Sequence, residues 1–202
     1  FTPPSGLVSW WKLDDGNGTV ALDSQGSNSG TLTYMDNSDW ISGQVNGALE
    51  FDGVDDYVLT GDGSMPFDGP WSVSLWVDVS TAARGDKIFS LEEAGWAPNF
   101  YFKAGNADNV LLYMGASNYR RWLGSWNALA ANGWHHVVVS IPGTAQTDIS
   151  ESKLYIDGTE YAVDGTVSSG PQSPYEGYFK LNPGAESSID DVMIFNRSLT
   201  AG

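Results

Sequence analysis

The 202-residue chain contains no cysteine. Disulfides, thiol nucleophiles and thiolate metal sites are therefore excluded, whatever compartment the protein occupies. Positive charge is scarce as well: nine Lys and Arg stand against 25 Asp and Glu, for a net charge of −16. A chain this acidic lacks the basic excess that non-specific binding to nucleic acid or anionic lipid requires. No run of about 18 apolar residues occurs, so no segment reads as a membrane-spanning helix. No window of about ten residues has the periodicity of an amphipathic helix. The runs that mark a nucleophile elbow (Gly-x-Ser-x-Gly) or a zinc protease (His-Glu-x-x-His) are missing. So is a Glu-x-Asp-x-x-Glu run, which would set paired carboxylates on one strand face for glycoside hydrolysis.

What is present points to β structure. Hydrophobic residues make up 41% of the chain and include nine Trp, which excludes a disordered segment. Twenty-four Gly and nine Pro are spread over the whole length, as expected of many short strands joined by turns. Strand signals recur at 7–13, 31–34, 48–51, 57–60, 72–79, 87–91, 100–103, 110–114, 122–125, 134–141, 152–156, 160–163, 178–181 and 188–195. Strands without intervening helices pair antiparallel and pack as two sheets, so the fold class is all-β. In the run Val73-Ser74-Leu75-Trp76-Val77-Asp78-Val79 the odd positions form an apolar face and Trp76 lies on the other. The segment Trp134-His135-His136-Val137-Val138-Val139, followed by Leu154-Tyr155-Ile156-Asp157-Gly158, reads as two strands, the second closing on a tight Asp-Gly turn.

Asp outnumbers Glu by 18 to seven and gathers in loop positions: Asp14-Asp15, Asp23, Asp52, Asp55-Asp56 and Asp190-Asp191. Short carboxylates in loops serve either to cap turns or to ligate calcium, which takes six to eight oxygens. Asp190 shares strand parity with Val192 and Ile194, which aims its carboxylate inward, where an unpaired charge is costly and a cation would satisfy it. Two further segments read as long loops rich in aromatic surface: 92–99, with Trp96, and 118–126, with Tyr119, Arg120, Arg121, Trp122 and Trp126. Aromatic rings flanked by polar groups suit the apolar C–H faces of sugars. The guanidinium fork of Arg120 and Arg121 suits a carboxylate or sulfate. Trp122 is expected in the core; Trp96 and Tyr119 are the better platform residues.

Four stretches together resemble the laminin-G-like jelly-roll family of the concanavalin A-like kind. They are Gly6-Leu7-Val8-Ser9-Trp10-Trp11-Lys12-Leu13-Asp14-Asp15-Gly16 with the loop at 23–32, Ala48-Leu49-Glu50-Phe51-Asp52-Gly53-Val54-Asp55-Asp56-Tyr57-Val58, the Trp134 segment above, and Ile189-Asp190-Asp191-Val192-Met193-Ile194-Phe195-Asn196-Arg197. The resemblance implies an antiparallel two-sheet jelly roll over 6–202, with 1–5 as a linker or processed N-terminus. It implies a non-catalytic, lectin-like carbohydrate-binding module of a secreted or cell-surface protein, part of a larger multidomain chain. A polysaccharide or glycan would meet Trp96, Tyr119, Arg120, Arg121 and Trp126. Related modules hold a structural calcium where the first and last strands meet, which carries over here to Asp14, Asp15, Asp23 and Asp190. His135 and His136 match the family's structural strand. An adhesion or spacer domain that contacts protein is the alternative, and a polysaccharide-active enzyme comes third. Tyr101-Phe102-Lys103-Ala104-Gly105 looks like the signature of a jelly-roll alginate lyase family, but the Arg-x-Glu-Leu run and Gln-x-His pair of that family are absent.

Overall fold

The computed structural model describes residues 2–61, 69–79, 87–92, 100–104, 109–114, 118–122, 124–131, 133–142, 151–167, 178–181 and 186–200. In chain order the strands are β1 (Leu7–Trp11), β2 (Val20–Ala21), β3 (Gly30–Thr33), β4 (Trp40–Ser42), β5 (Gly47–Asp52), β6 (Tyr57–Thr60), β7 (Trp71–Asp78), β8 (Lys87–Glu92) and β9 (Phe100–Ala104). They continue as β10 (Val110–Met114), β11 (Asn118–Trp122), β12 (His135–Ile141), β13 (Lys153–Ile156), β14 (Thr159–Glu160), β15 (Val163–Val167), β16 (Tyr178–Leu181) and β17 (Glu186–Phe195). Among the described residues one short α-helix, α1 (Ser125–Leu129), follows β11, and a 3-10 turn at Asn37–Asp39 precedes β4.

All pairings are antiparallel, and the described strands form two sheets, as a jelly-roll sandwich requires. Sheet A runs β14-β13-β12-β7-β17-β5-β4, with β1 also paired to β17. Sheet B runs β15-β11-β10-β9-β8-β16-β6-β3-β2. The first strand lies beside the last, with Trp11 opposite Val192 and Leu7 opposite Phe195.

The core is where the two inner faces meet. Val73, Leu75 and Val77 point inward from β7 and are fully buried, as the alternation predicts, while Trp76 takes the outer face half-buried. From sheet B, Phe89 stacks on Phe102 at 5.3 Å and lies tilted against Phe179 at 5.5 Å, and Trp11 of sheet A stacks on Phe179 at 5.7 Å. Burying a large side chain of this kind contributes roughly 1.5–3 kcal/mol, so this aromatic stack is a main tie between the sheets.

The hairpin at Asp157-Gly158 forms as expected. Both residues have positive φ, 50° and 76°, and Ile156 pairs with Thr159 across the turn. Asp157 also receives the backbone N–H of His136 at 2.9 Å and contacts His135 Nδ1 at 2.8 Å, so the first histidine braces the turn. His136 lies against Trp76 and the Ser74 hydroxyl, and burial holds its imidazole below the usual range.

The region around 118–126 differs from the expected loop followed by a strand at 122–125. Asn118–Trp122 is itself the strand, and the chain turns at Gly124 into α1. The alternation is present but disguised, because Arg120 takes an inward position where an apolar residue would normally advertise a strand.

Candidate functional site

The outer face of sheet B gathers aromatic rings and cations in two adjacent rows. One row follows backbone register from Lys180 through Ser90, Tyr101 and Tyr113 to Tyr119. The next runs from Lys87 through Lys103 and Leu111 to Arg121. Neighbouring strands are about 4.8 Å apart and same-face residues along a strand about 6.8 Å, so the two rows form a grid on this face. The Tyr113 and Tyr119 rings lie 5.6 Å apart. Lys103 Nζ sits 5.1 Å from the Tyr113 ring, and Lys180 Nζ sits 3.9 Å from the Tyr57 ring on β6. Arg121 forms an ion pair with Asp164 at 2.9 Å, each side chain about one-third exposed. Tyr57, Tyr113, Tyr119, Lys87, Lys103 and Lys180 are half-buried, while Ser90 and Leu111 in the same rows are buried.

This face absorbs part of the expected ligand set and redistributes the rest. Tyr119 and Arg121 belong to it. Arg120 points to the opposite side of β11, the side of Leu112 and Trp122, both fully buried. Trp126 does not reach the surface: it is 8% exposed within the core cluster. The reason is local. Ser125 Oγ accepts the Val110 N–H at 2.8 Å and donates to the Trp122 carbonyl at 2.7 Å, which pins α1 to β10 and turns Trp126 inward. Trp122 is buried as expected. Trp96 lies outside the described residues. Tyr113, Lys103, Lys87 and Lys180 were missed. Their signal was alternation across four separate strands, which only the register brings together.

The outer face of sheet A is acidic. Glu50, Asp78 and Glu186 line a shallow cleft of about 180 Å³ with Phe51, Ser187 and Ser188. The register carries this face on to Asp52, opposite Glu186, and to Asp190, opposite Trp76.

Asp190 sits at a bulge. Between Asp190 and Met193 the pairing of β17 with β7 slips by one residue, and Asp191 takes φ = 49°. Before the bulge, β17 pairs on its other side with β5; after it, with β1. The bulge therefore lies at the seam where β1 ends and β5 begins. The β4–β5 turn fills that seam. Asp190 Oδ2 accepts the Val45 N–H at 2.8 Å, while Asp14 accepts the Gly47 N–H at 2.8 Å and the Asn46 amide at 3.3 Å. Leu13, immediately before Asp14, is fully buried with φ = 58°, an uncommon conformation for a bulky residue.

Asp190 is completely buried, and its Oδ1 has no donor. Burial, reinforced by the charges of Asp191 and Asp14, pushes its carboxyl up to about 6. Asp191 is also raised, chiefly by burial, though the Trp10 indole N–H donates to it at 2.7 Å. Asp190 thus lies on the outer face rather than pointing into the core as its parity with Val192 and Ile194 predicts, and an orphaned, buried carboxylate oxygen beside two further acids is the chemistry a hard cation satisfies.

The other two expected calcium ligands are engaged elsewhere. Asp23 accepts four backbone N–H groups, from Trp10, Gln25, Gly26 and Asn28, at 2.9–3.1 Å. Burial alone would raise its carboxyl; those four bonds outweigh it and hold the group below the ordinary range. Asp15 accepts the Leu22 N–H at 3.2 Å. Asp23 thus organises its own loop, the turn-capping role weighed against calcium.

A second acidic grouping lies in the β5–β6 turn. One carboxylate oxygen each from Asp52, Asp55 and Asp56 falls within 4.8 Å of the others, a separation compatible with a shared metal ion. Asp56 is raised by burial and by the charges of Asp52, Asp39 and Asp55, and its Oδ2 accepts the Asp52 N–H at 3.0 Å.

The family Laminin_G_3, of the concanavalin A-like lectin/glucanases superfamily, matches residues 52–202. The chain belongs to this family. Among proteins of curated function no sequence matches the laminin-G chain significantly. Solved structures share its fold. The fourth domain of an extracellular arabinanase from Geobacillus stearothermophilus, solved with arabinotriose, superposes with a TM-score of 0.71 at 21% identity, covering 96% of this chain and 94% of that domain. The sialidase of Trypanosoma rangeli gives 0.69 at 18% identity, covering 98% of this chain and 32% of the sialidase. The receptor-binding domain of a mosaic C/D botulinum neurotoxin gives 0.66 at 13% identity, covering 97% of this chain and 48% of that one. This laminin-G chain therefore spans about a third of the sialidase it resembles. Among the described residues no helix is long and apolar enough to cross a membrane.

Proposed function

We propose that the protein is a non-catalytic, lectin-like carbohydrate-binding module, and that the outer face of sheet B is its ligand surface. The observation that carries this reading is the paired Tyr113 and Tyr119 rings, 5.6 Å apart and inclined at 37° on the outer sheet face, with Lys103 and Arg121 in the adjoining row. Rings presented side by side offer apolar platforms to successive sugar units, and the cations offer hydrogen bonds to hydroxyl and acidic groups. The described carboxylate beside this surface, Asp164, is engaged by Arg121, which favours binding over acid–base chemistry. The arabinanase domain solved with arabinotriose has the same fold over nearly its whole length, which supports a sugar ligand. On this reading residues 6–202 are one module of a longer extracellular or cell-surface protein.

The reading includes one structural calcium ion at the seam between β1, the β4–β5 turn and β17. Asp14 and Asp190 from the expected set would hold it, with Asp191 in place of Asp15 and Asp23, and the ion would have to draw them together, because among the described residues only Asp52, Asp55 and Asp56 bring three carboxylate oxygens within 4.8 Å of one another. The orphaned Oδ1 of Asp190 favours this seam over the Asp52, Asp55 and Asp56 turn. The ion's work there is to neutralise three acids and tie two strand ends together.

A glycan array, followed by calorimetric titration of the best ligand, tests the function. The wild-type protein should bind at least one polysaccharide, and Tyr113→Ala and Tyr119→Ala should each weaken it about tenfold while leaving the fold intact by circular dichroism. Tenfold is about 1.4 kcal/mol, the scale of one lost ring contact. A blank array at millimolar sensitivity would instead favour an adhesion or spacer domain.

A further inference from the structure

Among the described residues, one large aromatic side chain is exposed: Tyr34, directly after β3, at 73%. Its backbone has φ = 64°, the left-handed region that glycine favours and a bulky residue occupies under strain. Alternation along β3 buries Leu32 and leaves Thr31 and Thr33 on the outer face of sheet B, so a regular continuation would turn Tyr34 inward. The left-handed residue sends the ring outward instead. There it stands edge-on to Tyr57 of β6, with centroids 6.3 Å apart and planes at 74°. Tyr57 is half-buried on the same outer face, opposite Thr33, with Lys180 Nζ 3.9 Å from its ring. A lone exposed apolar residue needs no explanation. A ring held in water by a strained backbone does, because burial does not offset the strain.

We propose that Tyr34, seated on Tyr57, is a second sugar platform on the outer face of sheet B, and that it takes a further unit of the polysaccharide held by Tyr113 and Tyr119. The proposal rests on the sugar-binding reading above and adds a site to it. The surroundings fit a sugar better than a protein surface. Thr31 and Thr33 precede the ring on the outer face, and Asp36, Asn37 and Ser38 follow it in the chain. A single ring framed by hydroxyl, amide and carboxylate groups matches the C–H face and hydroxyl rim of a sugar, whereas protein docking calls for a contiguous apolar patch. Tyr57 is the support, because the edge-to-face contact fixes the plane in which Tyr34 is presented. β6 lies four strand spacings from β10, roughly 19 Å, and Ser90 on the intervening β8 is buried, so the two loci are discrete. A polymer reaches both where a single sugar cannot, and the second contact of one chain gains from effective concentration.

Affinity electrophoresis tests the site. The full chain is run through native gels containing arabinan, galactan, xylan or laminarin, and retardation gives its dissociation constant for each. Tyr34→Gly, Tyr34→Phe and Tyr119→Ala are run beside it, and each melting midpoint is measured. At least one polymer should retard the wild type. In that polymer Tyr34→Gly should lose about tenfold in affinity, the scale of one ring contact, while Tyr34→Phe, which keeps the ring, should bind as the wild type does. The midpoint of Tyr34→Gly should stay level or rise, because glycine relieves the left-handed strain. Weaker binding without weaker folding is the signature of a ligand contact. Unchanged retardation of Tyr34→Gly beside a weakened Tyr119→Ala would overturn the second platform and leave the sugar-binding reading standing. A lowered midpoint in Tyr34→Gly would give the ring to the fold and overturn the platform as well. Retardation by none of the four polymers would overturn both readings.

Discussion

Asp190 accepts the backbone N–H of Val45 at 2.8 Å across 145 positions of sequence, and its second carboxylate oxygen is buried with no donor. The bond fixes the β4–β5 turn on the last strand, and Asp14 fixes the same turn from the first. Three segments far apart in sequence thus meet around acids that repel one another. Electrostatics works against the fold at this point unless a cation or a proton intervenes.

Calcium should therefore stabilise the protein, and Asp190 should be required for it. An ion that binds only the folded state at 100 times its dissociation constant adds about 2.7 kcal/mol. For a domain of this size that is roughly 5–10 °C in melting midpoint. Melting in calcium and then in chelator measures the increment directly. Asp190→Asn should abolish it and Asp55→Asn should leave it in place. The reverse pattern would move the ion to the Asp52, Asp55 and Asp56 turn.

In chelator the pH dependence follows from the raised carboxyl of Asp190, at about 6 in the folded state. An unfolded Asp titrates near pH 4, so between about pH 4 and 6 the folded state holds more protons. Acidification through that window favours folding, and the ionised group destabilises at neutral pH by about 2–3 kcal/mol. His136 opposes this trend. Its imidazole is lowered by burial, so acid below about 6.5 protonates the unfolded chain first. Comparison with Asp190→Asn isolates the carboxyl: the variant should be the more stable protein at pH 7.5 in chelator, and the two curves should converge towards pH 4. Parallel curves would mean that Asp190 is not strained.

Asp23→Ala should destabilise without touching calcium. Four backbone N–H groups lose their acceptor, and those of Trp10 and Asn28 are shielded from water. The expected cost is about 2–4 kcal/mol in melting or denaturant titration. The calcium increment should be unchanged, because Asp23 faces its own loop. A lost increment would return Asp23 to the ion.

Much of the fold was legible because its strands carry local signals. Alternation at 73–79 and the Asp157-Gly158 turn are each contained within a few residues. The short strands Val20–Ala21 and Trp40–Ser42 were not legible, since two or three residues show no periodicity. At the sites, parity with Val192 and Ile194 aimed Asp190 at the core, whereas the bulge breaks that parity and leaves Asp190 on the outer face beside Trp76, buried beneath the β4–β5 turn. The roles of Asp23 and Asp191 depended on backbone geometry: a loop that points four N–H groups at one carboxylate, and a bulge that shifts register by one. Tyr119 and Arg121 were visible as residue types in a loop-like segment, whereas their neighbours Tyr113, Lys103 and Lys180 come from strands far apart in sequence. Register is a tertiary property, and no single segment contains it.

The position of β17 also makes sheet A depend on pairings that are distant in sequence. This strand pairs with β5, β7 and β1, so sheet A has no complete centre until residues 186–195 arrive. Every one of those pairings closes a long loop, an entropic cost met before any contact repays it. A chain that stops short of Glu186 would leave three strand edges open to pairing with other chains. The segment that completes sheet A is thus also the one that carries the acids at the seam.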